Sequence, residues 1–248
     1  MNELDPRAIL SRPAPDPDLV VSYGDEPEHV VDIHLPGDAP APLVVLLHGG
    51  FWRDAIDRVH IRPLAEALRN EGYIVATPEY RRTPRARWPQ MRVDIETVRD
   101  ALPSVLGEAS TLVEPGPYRL VGHSAGGHLA LWWALSAPER IARVVALAPV
   151  VDLAAAYDAD LDDGAVAALL GGAPREHLAA FDDANVAARL PADEPECIIL
   201  HGDEDDRVPI EHNRALTIPT LRELRGVEHF AMIDPRSPVW PVVRDALV

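Results

Sequence analysis

The sequence predicts an α/β fold in which a mainly parallel central sheet is covered by helices on both faces. From about residue 42 onward, short apolar runs alternate with segments of helical spacing, and this alternation is typical of a parallel sheet. The 248 residues, 47% of them apolar, suffice for one large domain with a full core but are few for two. We therefore expect a single domain over residues 1–248.

Strands are predicted from apolar runs bounded by turn residues. The first two have no helix between them, and the second alternates apolar and polar residues, so the pair suits an antiparallel edge. Most of the later strands are continuous apolar runs, as expected where helices cover both faces of a sheet. The predicted strands are 19–24, 29–36, 42–50, 73–80, 118–124, 142–150, 196–202 and a short one within 220–226.

Helices are predicted where apolar residues recur at helical spacing. One of them contains Pro103, which is expected to disturb it because proline removes a backbone donor. The predicted helices are 58–72, 91–109, 125–138 and 237–248.

Two further segments are expected to stand outside this alternation. Residues 1–18, rich in proline and acid, are predicted to form a loosely held arm. Residues 152–195 are rich in alanine and aspartate, partly helical, and too long for a simple connection. We expect them to form a cap over the carboxyl edge of the sheet, where open α/β sheets bind their ligands.

The composition disfavours several classes of function. A net charge of −17 disfavours nucleic acid and anionic membranes as partners. The single cysteine, Cys197, lies in a predicted buried strand and allows no intrachain disulfide. No cluster has metal-ligand spacing and no glycine-rich nucleotide loop occurs, so neither a metal nor a cofactor is expected. Because the sequence shows neither a signal-peptide pattern nor an apolar stretch long enough to span a membrane, we expect a cytoplasmic protein. Its oligomeric state is open, and a homodimer is one alternative.

The stretch GHSAG at 122–126 places Ser124 between two glycines, after a predicted strand and before a predicted helix. In a nucleophile elbow the serine sits in a strained turn that raises its hydroxyl above the sheet, and small neighbours are required there. The alternative is a strand-to-helix corner that merely needs glycine. The context favours Ser124 as a catalytic nucleophile.

A serine nucleophile needs a base and an orienting acid, which follow it in the chain in the order acid, then histidine. His229 follows the last predicted strand and is the candidate base. Asp203, Asp205 and Asp206 follow the preceding strand and compete as the acid. The tetrahedral intermediate also needs backbone donors, for which the Gly50–Phe51 turn and Ala125 are candidates.

Aromatic residues follow the strands near this predicted site. Trp52, Tyr80 and Trp88, together with Phe51, could line an acyl or aryl pocket. Their alternative role is packing in the core.

From about residue 19 to its end, the chain resembles the α/β-hydrolases. HGGFW at 48–52 is similar to the H-G-G-x-W motif of the kynurenine formamidase group, as GHSAGGHLA is to its elbow. The resemblance implies that Gly50 and Phe51 hold the oxyanion. HGDEDDRVP and GVEHF resemble the acid and histidine loops of carboxylesterases and peptidases, which implies Asp205 as the acid. The segment between Asp205 and His229 is shorter than in this family, so its helix is expected to be cut short.

These residues predict a serine hydrolase that cleaves small carboxylic esters or activated amides. The alternative within the same chemistry is an arylformamidase acting on N-formylkynurenine. A peptidase of this fold would usually carry a propeller domain, for which this chain has no room. A binding protein on a catalytically dead fold is disfavoured because all three triad residues are present.

Overall fold

The computed structural model describes residues 5–190, 195–216 and 220–248. Across these residues, eight strands form one sheet in the order β1-β2-β4-β3-β5-β6-β7-β8. The strands are β1 (Leu19–Ser22), β2 (Val30–His34), β3 (Leu43–Leu47), β4 (Ile74–Pro78), β5 (Tyr118–His123), β6 (Ile141–Leu147), β7 (Glu196–Gly202) and β8 (Thr220–Leu224). Each lies within, or one residue outside, a predicted strand.

The sheet is parallel except at one edge. β1 pairs with β2 and β2 with β4 in antiparallel fashion, whereas all pairs from β4 to β8 are parallel. The antiparallel edge predicted from the missing helix is therefore present. In the centre, Gly122 of β5 pairs with Leu47 of β3 and with Ala146 of β6. The carboxyl ends of three strands thus meet beside the serine turn.

The described helices cover both faces of this sheet. They are α1 (Arg62–Asn70), α2 (Trp88–Leu106), α3 (Ala125–Ser136), α4 (Leu153–Asp158), α5 (Ala165–Leu170), α6 (Leu178–Ala184), α7 (Glu211–Arg214) and α8 (Trp240–Asp245). Pro103 lies inside α2, which continues without a break to Leu106. The carbonyl of Arg99, which the proline cannot bond, accepts a hydrogen bond from the Arg140 guanidinium at 3.4 Å.

Successive side chains of the central strands enter two separate apolar clusters. Val45 and Leu47 of β3 belong to the cluster that also contains residues of α2 and α3. Val44 and Leu46 belong to the cluster on the opposite face, with α1 and α8. Because side chains alternate along a strand, a run that is apolar at every position fills both layers.

The N-terminal arm differs from the prediction. From residue 5 onward it is anchored, and Pro6–Ser11 form a 3₁₀ helix. Ile9 of that helix is fully buried, and Arg12 forms an ion pair with Asp234, with Arg12 Nη2 2.8 Å from Asp234 Oδ2. The prolines and acidic residues of this segment predicted a loosely held arm. The free energy gained by burying Ile9 and by forming the ion pair offsets the conformational entropy that the segment loses when it is ordered.

The predicted insertion contains α4, α5 and α6, followed by a 3₁₀ helix at Ala187–Arg189. It packs beside α2 and α3. Trp88 Nε1 donates to Asp183 Oδ2 at 2.6 Å, and His128 Nε2 lies 2.9 Å from the carbonyl oxygen of Ala184. Part of the predicted range, 191–194, lies outside the described residues.

Cys197 is buried in β7, and burial raises the pKa of its thiol to about 12. This environment suits the core role expected for it. None of the described helices is long and apolar enough to cross a membrane. Within the described ranges, no group of three or more His, Cys, Asp or Glu side chains could hold a metal ion.

Candidate active site

Ser124 occupies a strained turn between the end of β5 and the start of α3, with φ 56° and ψ −119°. The neighbouring glycines are required by close backbone contacts. A Cβ on Gly122 would lie 2.1 Å from the carbonyl oxygen of Gly126, and one on Gly126 would lie 2.1 Å from that of Leu47. The local geometry therefore matches the predicted nucleophile elbow.

Ser124 is 1% exposed, and its Oγ forms no hydrogen bond with any described residue. Its backbone N–H is held by the carbonyl of Leu147 at 2.8 Å, which attaches the turn to β6. Hydrogen bonds to a nucleophile are often long in a protein without substrate. The hydroxyl is thus positioned by the backbone alone.

His229 is brought to the same cavity by a 3₁₀ helix, His229–Ile233, that follows β8. Its Nδ1 lies 2.6 Å from Asp205 Oδ2, and its ring is almost fully buried. The carbonyl of His229 also lies 3.1 Å from His123 Nε2. With Nδ1 donating to the carboxylate, Nε2 is the nitrogen left to act as an acceptor.

Asp205 is held by several donors at once. Its Oδ1 accepts from the backbone N–H groups of Arg207 and Val208 at 2.9 and 2.8 Å, and His201 Nε2 lies 3.2 Å from Oδ2. Burial by itself raises the pKa of this carboxyl, but the hydrogen bonds from His201 and His229 outweigh it and hold the pKa well below its ordinary value. Asp205 is therefore ionised at neutral pH.

The two competing aspartates are placed elsewhere. Asp203 is exposed and accepts from the backbone N–H of Gly226 at 2.6 Å, while Asp206 is exposed on the loop. Of the three candidates, Asp205 is the one bonded to His229. The helix after this loop, α7, has only four residues, so it is cut short as predicted.

Asn213 is a residue that sequence reasoning missed. Its amide nitrogen lies 2.7 Å from His201 Nδ1 and donates to the carbonyl of Pro149 at 3.0 Å. Because Nδ1 of His201 accepts from this amide, its Nε2 carries the proton, which faces Asp205 and the carbonyl of Val208. In the sequence, the signal for this support of Asp205 was His201 itself, which begins the HGDEDDRVP loop.

The turn after β3 carries three consecutive residues with positive φ: Gly50 at 113°, Phe51 at 48° and Trp52 at 57°. A Cβ on Gly50 would lie 2.7 Å from Ile56 Cβ, so the position requires glycine. The backbone N–H groups of Gly50, Phe51 and Ala125 donate to no carbonyl or side chain in the described parts of the chain. This turn and the elbow are neighbours, since Gly49 approaches the backbone of His123.

The aromatic residues suggested for a pocket are core residues instead, which corrects that prediction. Trp52, Tyr80 and Trp88 are at most 1% exposed and do not line the cavity that contains Ser124. The Tyr80 hydroxyl donates to the carbonyl of His48 at 2.7 Å, and the ring of Trp52 packs edge-on against that of His128. Burying these large rings stabilises the layer between the sheet and α3.

The cavity above Ser124 has a volume of about 280 Å³. Phe51 lines it, although the adjacent Trp52 does not. Its other apolar walls come from the N-terminal helix, the loop after β3 and the histidine loop: Leu10, Ala55, Ile56 and Phe230. A cavity at the small end of ligand pockets, with a few polar groups converging in it, is suited to a small substrate.

The pKa values of two buried histidines predict how the free energy of unfolding depends on pH. Burial lowers the pKa of His60 and of His128 to about 4, so both remain neutral in the folded protein. In the unfolded chain the same imidazoles take up protons near pH 6.5, which favours the unfolded state below that pH. The free energy of unfolding is therefore highest above pH 6.5 and decreases as the pH falls toward 4. Between pH 7 and pH 5 we expect a loss of about 1–2 kcal/mol per histidine.

Urea unfolding at pH 7, 6 and 5 measures this dependence. His128→Gln keeps a donor for the carbonyl of Ala184 but removes the titrating group, so its pH dependence should be smaller than that of the parent protein. Unfolding free energies that stay constant or rise toward pH 5 would contradict the prediction.

Comparison with known proteins agrees with this architecture. The family model described as BD-FAE matches residues 31–218. Esterase LipC of Mycobacterium tuberculosis is 25% identical over 84% of this chain and 55% of that protein. Kynurenine formamidase of Salmo salar is 33% identical over 45% of this chain and 36% of that protein. The chain spans about half the length of the curated relatives it matches, or less.

Among solved structures, esterase B from Lactobacillus rhamnosis matches with a TM-score of 0.74 at 20% identity, covering 98% of this chain and 90% of that one. At this identity the likeness shows the fold alone, and it confirms the predicted α/β-hydrolase fold. Because the family match covers most of its residues, the chain belongs to the BD-FAE family of α/β-hydrolases.

Proposed function

We propose that the protein is a carboxylic ester hydrolase that uses Ser124, His229 and Asp205 as a catalytic triad. The observation that carries this proposal is the 2.6 Å hydrogen bond between His229 and Asp205, next to a serine in the strained elbow of the same cavity. The relatives named as esterases support the same chemistry.

In this mechanism, Nε2 of His229 takes the proton of Ser124 as Oγ attacks the ester carbonyl. The bond to Asp205 orients the imidazole and stabilises its protonated form. The oxyanion accepts hydrogen bonds from the backbone N–H groups of Gly50, Phe51 and Ala125. His229 then protonates the leaving alcohol, and water hydrolyses the acyl-enzyme with His229 acting again as base.

The insertion between β6 and β7 takes the role of a cap in this proposal. Asp162, between α4 and α5, lines the cavity beside Ser124 and is bonded to Arg53 and Arg207. Arg53 directly follows the turn that contains Gly50 and Phe51, and Arg207 lies in the acid loop itself. The insertion is therefore tied to both of the loops that would carry catalytic groups.

An arylformamidase acting on N-formylkynurenine is the second candidate. The relatives named kynurenine formamidase, from Salmo salar and Danio rerio, share 33% identity with 45% and 44% of this chain, respectively. The HGGFW turn that contains Gly50 and Phe51 carries the same resemblance. The formyl group is the smallest acyl group, so the cavity accommodates it.

A series of 4-nitrophenyl esters with acyl chains of two to sixteen carbons tests the proposal. We expect kcat/KM to rise to about butyryl, because each buried methylene contributes about 0.8 kcal/mol, and to fall steeply beyond about eight carbons as the cavity fills. A maximum at twelve or more carbons would contradict a capped small-acyl site. Turnover of N-formylkynurenine in the same assay decides the second candidate.

A matched pair of variants makes this test sharper. Ile56 lines the cavity, so Ile56→Ala should move the optimum toward longer acyl chains. Val59, three residues later, is exposed and does not line the cavity, so Val59→Ala should leave the profile unchanged.

A further inference from the structure

Three arginines line the cavity that contains Ser124, in a protein whose net charge is −17. They are Arg7, Arg53 and Arg207, and Asp162 is the one carboxylate among the lining residues in the described part of the chain. Burial lowers the pKa of the lining residues His60 and His123, so these rings add no charge at neutral pH. The cavity wall is thus locally cationic on an acidic molecule.

The three guanidinium groups are not equally engaged. Arg53 Nε donates to Asp162 Oδ2 at 2.8 Å, and its Nη2 donates to the carbonyls of Asp162 and Asp163. Arg207 Nη2 donates to Asp162 Oδ1 at 2.6 Å. The Asp162 carboxylate is therefore shared by two guanidinium groups. Both nitrogens of Arg53 that form these hydrogen bonds donate to residues of the insertion.

Arg207 keeps capacity for a second partner. Its guanidinium lies over the ring of Phe51, 5.6 Å from the ring centroid, and its hydrogen bond to Asp162 uses a single nitrogen. Phe51 is one of the residues proposed to hold the oxyanion. Arg207 therefore places a positive charge next to the place where the acyl group would bind.

Arg7 has no ion-pair partner among the residues that the structure describes, although its helix is well anchored. Buried Ile9 lies two residues away, and Arg12 at the end of the helix is paired with Asp234. The backbone that carries Arg7 is thus held against the cavity, so less conformational entropy is lost when the guanidinium binds a ligand.

From these observations we propose that the cavity selects esters that carry a carboxylate, which Arg7 and Arg207 bind. Guanidinium groups match the planar geometry of a carboxylate and can donate two parallel hydrogen bonds. The small cavity places that carboxylate within a few carbons of the scissile carbonyl. The substrate class is therefore the monoesters of short dicarboxylic acids, an inference that rests on the proposed ester hydrolase function.

The overall negative charge does not contradict this selection. Charges separated by more than about 8 Å are largely screened at physiological ionic strength. The arginines at the cavity act at contact distance, whereas most of the acidic surface acts from farther away. Long-range repulsion slows the approach of an anion, and the local contacts select it once it has entered.

The test compares 4-nitrophenyl hydrogen adipate with 4-nitrophenyl adipamate, in which a neutral amide replaces the carboxylate at nearly the same size. We expect kcat/KM for the anionic ester to be about tenfold higher than for the neutral one, because this is the factor that a hydrogen bond to a charged group typically contributes. Added salt at 0.5 M should reduce this preference. Arg7→Gln and Arg207→Gln should each lower this ratio of the kcat/KM values of the two esters by about fivefold.

Arg175→Gln is the matched control, because Arg175 is exposed and lies outside the cavity but the substitution changes the net charge equally. Its preference for the anionic ester should equal that of the parent protein. Since Arg7 is exposed, its variant keeps the test valid even if Arg207→Gln fails to fold.

The outcomes separate this inference from the proposed function. Equal turnover of the two esters, or an unchanged preference in both arginine variants, would overturn the carboxylate selection and leave the ester hydrolase intact. Turnover of neither adipate nor butyrate esters would remove the proposed function, and this inference with it.

Discussion

Ser124→Ala is expected to lower kcat/KM for a butyrate ester by about 10³-fold or more while the protein stays folded. The variant keeps the elbow glycines and the backbone hydrogen bond to Leu147, and it removes only the Oγ that has no bond to a described residue. The fold therefore loses little, whereas the acyl-enzyme can no longer form. Initial rates and the thermal unfolding midpoint of purified protein measure the two effects separately.

An organophosphonate provides an independent readout of the same site. Mass spectrometry of the parent protein should find the label on Ser124, and Ser124→Ala should remain unlabelled. Ser104, exposed on α2, gives the matched control, since Ser104→Ala should retain both labelling and turnover. Near-normal activity of Ser124→Ala, or a label on another residue, would exclude the proposed nucleophile.

Asp205→Asn is expected to reduce kcat by about 10⁴-fold with little change in KM. The amide occupies the same space and retains an oxygen that can accept from the N–H groups of Arg207 and Val208. It cannot stabilise the protonated imidazole of His229, because it carries no charge. Steady-state kinetics with a short-chain ester measures this separation of kcat from KM.

The neighbouring aspartates are the controls for this prediction. Asp203→Asn keeps an oxygen that accepts from the N–H of Gly226, and Asp206 is exposed, so both variants should retain turnover to within about threefold. A severe loss at Asp203 combined with a mild one at Asp205 would reverse the assignment of the acid.

The fold was largely predictable because its signals are local. A central strand such as β3 is apolar at every position since both of its faces are covered, and this leaves a continuous run in the sequence. The elbow was equally accessible, because contacts of about 2 Å leave Gly122 and Gly126 no alternative residue. The antiparallel edge followed from the missing helix between β1 and β2.

Features that depend on distant contacts were not predictable in the same way. Trp52 and Phe51 are adjacent in the turn, yet one enters the core and the other lines the cavity. Asn213 lies on the short helix α7 and forms a hydrogen bond with His201. The number of residues between Asp205 and His229 did not determine where this helix begins and ends, so the contact could not be predicted. Composition suggested a loose arm, whereas buried Ile9 and the ion pair between Arg12 and Asp234 anchor the segment.

The anchored N-terminal helix has a consequence for how this site could diversify. Arg7 and Leu10 contribute to the cavity wall, but they lie outside residues 31–218, which match the family. Substitutions at these two positions would therefore change the cavity wall while the residues of the elbow and the acid loop stay the same. The same short helix thus joins two tasks: Ile9 and Arg12 hold it to the rest of the fold, and Arg7 and Leu10 present side chains to the cavity.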